Sequence, residues 1–188
     1  MGAPRSRGFV LAGGESSRMG RDKALLPYGN STLVEHVAAQ AAAAAGSAAL
    51  IGRPERYRGL GYPVFEDLVP ARGPLGGVVT ALSATDAPWN LIVACDMPGV
   101  TAEFLSMLIE AAVRSGGDCL VPVSPSGRLE PLCAVYHRDA LGRLKGALDR
   151  NLLALGEAVR GPRLATWPAA EAGFFRNLNV PQDLEHDR

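Results

Sequence analysis

The chain is short of the residues and patterns on which several common functions depend. It carries no excess charge of either sign: 19 lysines and arginines balance 19 aspartates and glutamates. That leaves no general attraction to nucleic acid or to an anionic membrane surface. No uninterrupted apolar run approaches a membrane span. The opening residues, Met1-Gly-Ala-Pro-Arg-Ser-Arg, hold no apolar signal core. Cytoplasmic action is therefore expected, with neither nucleic acid nor membrane as partner. The three cysteines, Cys95, Cys119 and Cys133, lack metal-ligand spacing and lie in apolar segments. They read as reduced, packed thiols. The three histidines, His36, His137 and His186, form no Ser-His-Asp or Cys-His pattern and read as structural.

What is present is an ordinary globular composition, 47% hydrophobic and 20% charged over 188 residues. It is enough for a sizeable core in one domain, residues 1–188. Strand-like segments at 8–12, 48–52, 63–66, 91–95, 119–123, 132–137 and 174–178 alternate with helix-like ones. Leu91-Ile-Val-Ala-Cys95 is continuously apolar, as in a central strand covered on both faces. Thr32-Leu-Val-Glu35 reads as a capping box opening an Ala-rich helix that stops at Gly46. Thr101 reads as the cap of a helix with the apolar face Phe104, Leu105, Leu108, Ile109 and Ala112. Further helices are expected from Leu75 to Ser83, over 139–148 and after Pro181. This alternation predicts an α/β fold, a sheet with helices on both faces and a ligand at the carboxyl ends of the strands.

The most informative segment is Leu11-Ala-Gly-Gly-Glu-Ser-Ser-Arg18-Met-Gly20-Arg-Asp22-Lys23. It leaves a short apolar strand as a glycine-rich, cationic loop. Glycines permit close backbone approach to a ligand, and backbone N–H groups with Arg18 and Lys23 suit phosphate. It is not a Walker A loop, because five residues separate Gly14 from Gly20 and Ala24 follows Lys23. Adjacent glycines also exclude the dinucleotide pattern. A nucleoside triphosphate is the expected ligand.

Other candidates follow apolar runs. Asp96, after Leu91-Ile-Val-Ala-Cys95, suits a Mg²⁺ shared with triphosphate oxygens, or else caps the turn before Pro98. Asp67 ends Val64-Phe-Glu-Asp67 and either contacts a nucleotide or begins a turn. In Gly73-Pro-Leu-Gly76-Gly77, the paired glycines either bring a ligand to backbone donors or pack tightly under the sheet. Glu130 precedes a strand, and Asn177 and Asn179 alternate about Leu178, placing both on one face if that segment is a strand. A substrate phosphate as nucleophile would need no protein base, and catalysis would rest on positioning and charge neutralisation by Mg²⁺, Lys23 and Arg18.

Together these motifs resemble the molybdenum cofactor guanylyltransferases. The opening signature, Gly73-Pro-Leu-Gly-Gly77, Cys95-Asp96-Met-Pro98, Glu130-Pro-Leu132 and Asn177-Leu-Asn-Val-Pro-Gln-Asp183 occur in the family's order. The resemblance implies a three-layer α/β/α Rossmann-like nucleotidyltransferase fold with a mostly parallel sheet. It implies GMP transfer from GTP to the phosphate of Mo-molybdopterin, with release of pyrophosphate. GTP would lie on Leu11, Ala12, Gly13 and Gly14, with Lys23 on the phosphates. Asp67 and Gly76 would lie at the nucleotide, and Asp96 would hold Mg²⁺. Glu130, Asn177 and Asn179 would face the pterin half. Molybdopterin-supplying proteins and apo-molybdoenzymes would be the partners of a monomer or weak homo-oligomer. Cytidylyl and sugar-phosphate nucleotidyltransferases share the scaffold and form the alternative. The family often has an Asn nucleotide contact after its second strand. Here Gly52-Arg53 stands there, so free Gly52 backbone groups or Arg53 would serve instead.

Overall fold

The computed structural model describes residues 5–12 and 22–178. The chain runs through β1 (Ser6–Leu11), a 3-10 turn (Lys23–Leu25), β2 (Pro27–Tyr28), β3 (Ser31–Thr32), α1 (Leu33–Ala45) and β4 (Ala48–Ile51). Next come α2 (Pro54–Tyr57), β5 (Val64–Phe65), α3 (Gly73–Ser83), β6 (Trp89–Ala94) and α4 (Ala102–Ser115). The last part holds β7 (Cys119–Val123), β8 (Cys133–His137), α5 (Ala140–Asp149), α6 (Leu155–Ala158), β9 (Leu164–Pro168) and a 3-10 turn (Ala172–Phe175). Among the described residues, seven strands form the main sheet in the order β5-β4-β1-β6-β8-β7-β9. All neighbours are parallel except β8, which runs antiparallel to β6 and β7.

Strand alternation divides the core. Phe9 and Leu11 face the layer of α3, α5 and α6, whereas Val10 and Ala12 face α1 and α4. This is the three-layer α/β/α arrangement with a mostly parallel sheet that the sequence predicts. β6, the continuously apolar run, is fourth of the seven strands and is covered on both sides.

Register fixes where the site forms. Leu11 lies level with Ile51 and Ala94, and Ile51 with Phe65. The pairing continues one residue beyond each strand, as Ala12 N donates to Ile51 O (2.9 Å), Gly52 N to Phe65 O (3.0 Å) and Cys95 N to Leu11 O (3.1 Å). The ends of β5, β4, β1 and β6 therefore share one rim, beside the start of β8.

The helix boundaries follow local chemistry. The Thr32 hydroxyl accepts from Glu35 N while Glu35 Oε2 accepts from Thr32 N at 2.9 Å, the expected capping box. Gly46 ends α1 in the left-handed region, φ 81°. Thr101 caps α4, and all the apolar residues assigned to its inner face are buried.

One expected strand is absent. Residues 174–178 do not extend. Ala172–Phe175 instead forms a 3-10 turn, and 176–178 carry no regular structure. Phe174 stacks on Phe104 at 4.1 Å, and Phe175 meets the same ring edge-on at 5.8 Å. A strand would send neighbouring side chains to opposite faces; the turn brings both to one ring. The edge strand is β9, parallel to β7 and ending at Pro168, where no ladder donor is needed. The helix expected after Pro181 lies outside the described residues.

The Glu35 carboxyl is held below its ordinary range by the Thr32 hydroxyl first and the Thr32 backbone N–H second. Its contribution is present above the ordinary carboxylate pKa and is lost as pH falls through the lowered value. Thr32→Ala should reduce stability by about 1 kcal/mol at neutral pH. Urea unfolding at neutral and acid pH should show the difference from wild type shrinking in acid.

Candidate active site

Lys23 and Asp96 meet on the rim. Lys23 Nζ lies 3.1 Å from Asp96 Oδ2, and the side chains are only 17% and 24% exposed. Lys23 follows the glycine-rich segment after β1, and Asp96 follows β6, β1's hydrogen-bonded neighbour. A cation and a carboxylate from distant parts of the sequence are thus set where two strand ends diverge.

Asp22, immediately before Lys23, organises the approach. Its Oδ1 accepts from Ala24 N at 3.1 Å, capping the turn that carries Lys23. Its Oδ2 receives Arg56 Nη1 at 2.9 Å and lies 2.8 Å from the Tyr57 hydroxyl. Tyr57 Oη is also 2.8 Å from Ala12 O. The sequence offered no signal for Tyr57 or Arg56, because both reach the site only through tertiary packing. For Asp22 the signal was its place beside Lys23 in the opening motif.

The Gly52 N–H is not free for a ligand. It is taken by Phe65 O, and a Cβ on the residue would come 2.7 Å from Tyr57 Cε2. For the N–H that expectation is corrected, and the missing side chain is a seat for the tyrosine ring. Leu11 and Ala12 are buried, at 8% and 7% exposure, and Ala12 N is already bonded to Ile51 O. Their carbonyls already accept from Cys95 N and the Tyr57 hydroxyl, each with a lone pair remaining.

Asp67 stands on the same rim, three strands from Asp96. Three spacings of ~4.8 Å put their strand ends ~14 Å apart, too far to share one ion. Asp67 Oδ1 accepts from Val69 N (3.1 Å) and the Thr80 hydroxyl (2.9 Å), which fixes the turn into α3. Gly76 and Gly77 of α3 are close-packed: a Cβ on Gly76 would lie 2.9 Å from Val69 O, and one on Gly77 3.2 Å from Leu11 Cδ2. Of the two readings left open for these glycines, tight packing accounts for their missing side chains.

Glu130 is buried beside the start of β8, its Oε1 accepting from Arg128 Nε at 2.8 Å. Asn177 is exposed and lies off any strand, so the shared strand face expected for it and Asn179 is corrected; Asn179 itself lies outside the described residues. Asn177 nonetheless reaches the rim, because Leu178 N donates to Asp96 O at 3.0 Å. Gly99 allows this crossing, since a Cβ there would collide with Gly173 O. His36 Nε2 lies 3.1 Å from Pro98 O, the structural role expected of it. Gly13, Gly14 and Arg18 lie outside the described residues.

The cysteines carry no nucleophile. Burial pushes the Cys95 thiol up to about 12 and the Cys119 thiol up to about 11, and raises Cys133 as well. Among the described residues no group of three or more His, Cys, Asp or Glu is placed to hold a metal. The donor set at Asp96 fits an ion held by one carboxylate and substrate oxygens, as Mg²⁺ commonly is, rather than a resident all-protein cage. No helix among the described residues is long and apolar enough to cross a membrane.

A Rossmann-like sheet whose first strand opens into a glycine-rich segment, with a lysine and an aspartate facing each other across the next strand end, defines a nucleotidyltransferase type of α/β domain. The chain belongs to the MobA-like NTP transferase domain family, whose model matches residues 8–161. It is 37% identical over 178 residues, 95% of this chain and 85% of the other, to a Carboxydothermus hydrogenoformans protein named "probable molybdenum cofactor guanylyltransferase". Its fold is similar to that of molybdopterin-guanine dinucleotide biosynthesis protein A from Archaeoglobus fulgidus, with a TM-score of 0.79, 24% identity and coverage of 96% and 95% of the two chains. It is also similar to 2-C-methyl-D-erythritol 4-phosphate cytidylyltransferase from Thermus thermophilus, with a TM-score of 0.68, 22% identity and 95% coverage of each chain. The family resemblance carried by the sequence motifs is borne out.

Gly99→Ala should force the Ala172–Phe175 turn, which carries Gly173, away from residue 99. Overpacking of this kind costs about 1–3 kcal/mol. Thermal unfolding should report the loss, and turnover should fall with it because the Leu178 bridge to Asp96 is displaced.

Proposed function

We propose that the chain, as one nucleotidyltransferase domain over residues 1–188, transfers GMP from GTP to the phosphate of Mo-molybdopterin and releases pyrophosphate. The observation that carries this reading is the Lys23 and Asp96 pair, 3.1 Å apart at the strand ends beside the glycine-rich segment. Family membership and the names of the relatives support the choice of substrates.

The acceptor phosphate is already an anion. It attacks the α-phosphorus, a new P–O bond forms, and the bond to the β-phosphate oxygen breaks, with the electron pair leaving on pyrophosphate. No protein base is required, in keeping with protonated thiols and a histidine engaged at Pro98. Lys23 neutralises charge on the phosphates, with Arg18 assisting. Asp96 would hold Mg²⁺, which when bound neutralises phosphate charge and orients the triphosphate. Leu11, Ala12, Gly13 and Gly14 lie under the nucleotide, with Asp67 and the Gly76 turn toward the nucleoside. Glu130, Asn177 and Asn179 take the pterin side. The protein works in the cytoplasm, where its free thiols stay reduced, as a monomer or weak homo-oligomer, and receives molybdopterin from supplying proteins and passes its product to apo-molybdoenzymes.

The test is pyrophosphate release with Mg²⁺ and Mo-molybdopterin, comparing GTP, CTP and ATP. Release with GTP alone is expected, abolished by Asp96→Asn. Lys23→Ala should lower kcat by about 10²–10³, by analogy with loss of one oxyanion-hole donor. Release with CTP instead would overturn the base assignment, and silence with all three would overturn guanylyl transfer.

A further inference from the structure

The contacts around Lys23 close on themselves. Starting from Asp96, the preceding Cys95 N donates to Leu11 O at 3.1 Å. The next carbonyl, Ala12 O, lies 2.8 Å from Tyr57 Oη, which is equally close to Asp22 Oδ2. Asp22 Oδ1 caps the turn that begins at Lys23, and Lys23 Nζ returns to Asp96 at 3.1 Å. Ala12 and Asp22 are the described residues on either side of the glycine-rich segment. Tyr57 is the one side chain in this circuit that touches both.

We infer that Tyr57 is a positioning residue of the nucleotide site, its hydroxyl tying Ala12 to Asp22 and thereby fixing Lys23 against Asp96. This rests on the proposed function only in naming what Lys23 acts on. The ring, 2% exposed, stands on Gly52, whose lack of a side chain makes the room. Gly52 is held in turn by Phe65 O, so the ring's seat belongs to the sheet rather than to a loop. Burial first, then the hydrogen bond to Asp22, holds the phenol well above its ordinary pKa, so its proton stays available at any working pH. That single proton is shared between two acceptors, Ala12 O and Asp22 Oδ2, and Arg56 Nη1 meets the same Asp22 oxygen at 2.9 Å. Tyr57 touches no reacting atom; its effect passes through Asp22 to Lys23.

The chain has two lysines, Lys23 and Lys145, and Lys145 is exposed on α5, so amine labelling read by peptide mass spectrometry reports Lys23 against an internal reference. The measurement needs no substrate. In wild type Lys23 should label slowly, shielded by Asp96. Tyr57→Phe keeps the ring and removes only the hydroxyl. It should raise the Lys23 to Lys145 labelling ratio by about 2- to 12-fold, the range one hydrogen bond supports. Gly52→Ala, which presses on the ring edge at Cε2 and Cδ2, should raise the same ratio and carries the test if Tyr57→Phe does not fold. A ratio unchanged in every folded variant would overturn the inference. Turnover adds a second reading. Tyr57→Phe should lower kcat/KM for GTP in the wild-type background and leave it unchanged in Lys23→Ala. Equal losses in the two backgrounds would mean that Tyr57 does not act through Lys23, and would overturn it. Wild-type turnover decides the proposed function, and the labelling ratio decides Tyr57, so the two fail separately.

Discussion

The pairing of Lys23 with Asp96 is the interaction on which the rest of the site depends. Neither group is well solvated, at 17% and 24% side-chain exposure, and each would be costly in that position without the other. The partial exposure keeps the pair from being a closed structural bridge, since water still screens it. Its value lies in where it holds the two charges before a ligand arrives. Under the proposed function, a triphosphate entering the rim would meet an ammonium already in place and a carboxylate already oriented, so little reorganisation would be needed.

Sheet topology explains why this pair sits where it does. The chain leaves β1 toward β4 on one side and leaves β6 toward β7 on the other. Connections that diverge from adjacent parallel strands open a crevice at their carboxyl ends. Lys23 follows the first of these strands and Asp96 the second. β4 and β5 extend the rim toward Asp67, and β8, entering from the opposite direction, brings Glu130 to its other side. The crossing of Leu178 over Asp96 O closes one edge. It depends on aromatic packing about Phe104 and on Gly99 lying against Gly173 O.

What was legible in the sequence was local. The helix caps at Thr32 and Thr101, the buried run that became β6, and the motif ending in Lys23 each depend on a few adjacent residues. The residues 174–178 misled because alternation about Leu178 imitates a strand, while the deciding contact, two phenylalanines on Phe104, comes from α4. β9 escaped because Leu164-Ala-Thr-Trp-Pro168 is short, half-exposed and ends in proline. Gly52 misled for a similar reason. A glycine beside the expected site reads as freeing backbone groups for a ligand, and only the folded chain shows its N–H bonded to Phe65 O and a tyrosine ring against it.

The choice of lysine at position 23 has its own logic in a chain that otherwise prefers arginine. With Lys23 and Lys145 its only lysines, the protein meets Asp118 with Arg143 and Arg163, and Asp22 with Arg56. No substrate role is proposed for those pairs, and the planar guanidinium, with its fixed donors, suits a carboxylate that serves only as its partner. Lys23 faces a different demand. Asp96 accepts it in the structure, and under the proposed function a phosphate would share it in the loaded protein. A compact ammonium with three rotatable donors can turn between two oxygens without leaving either. An arginine forked onto Asp96 would be better bound and less able to turn. The exchange asked of Lys23 therefore requires that its backbone be held still while its end group moves, and the capped turn at Asp22 supplies that stillness.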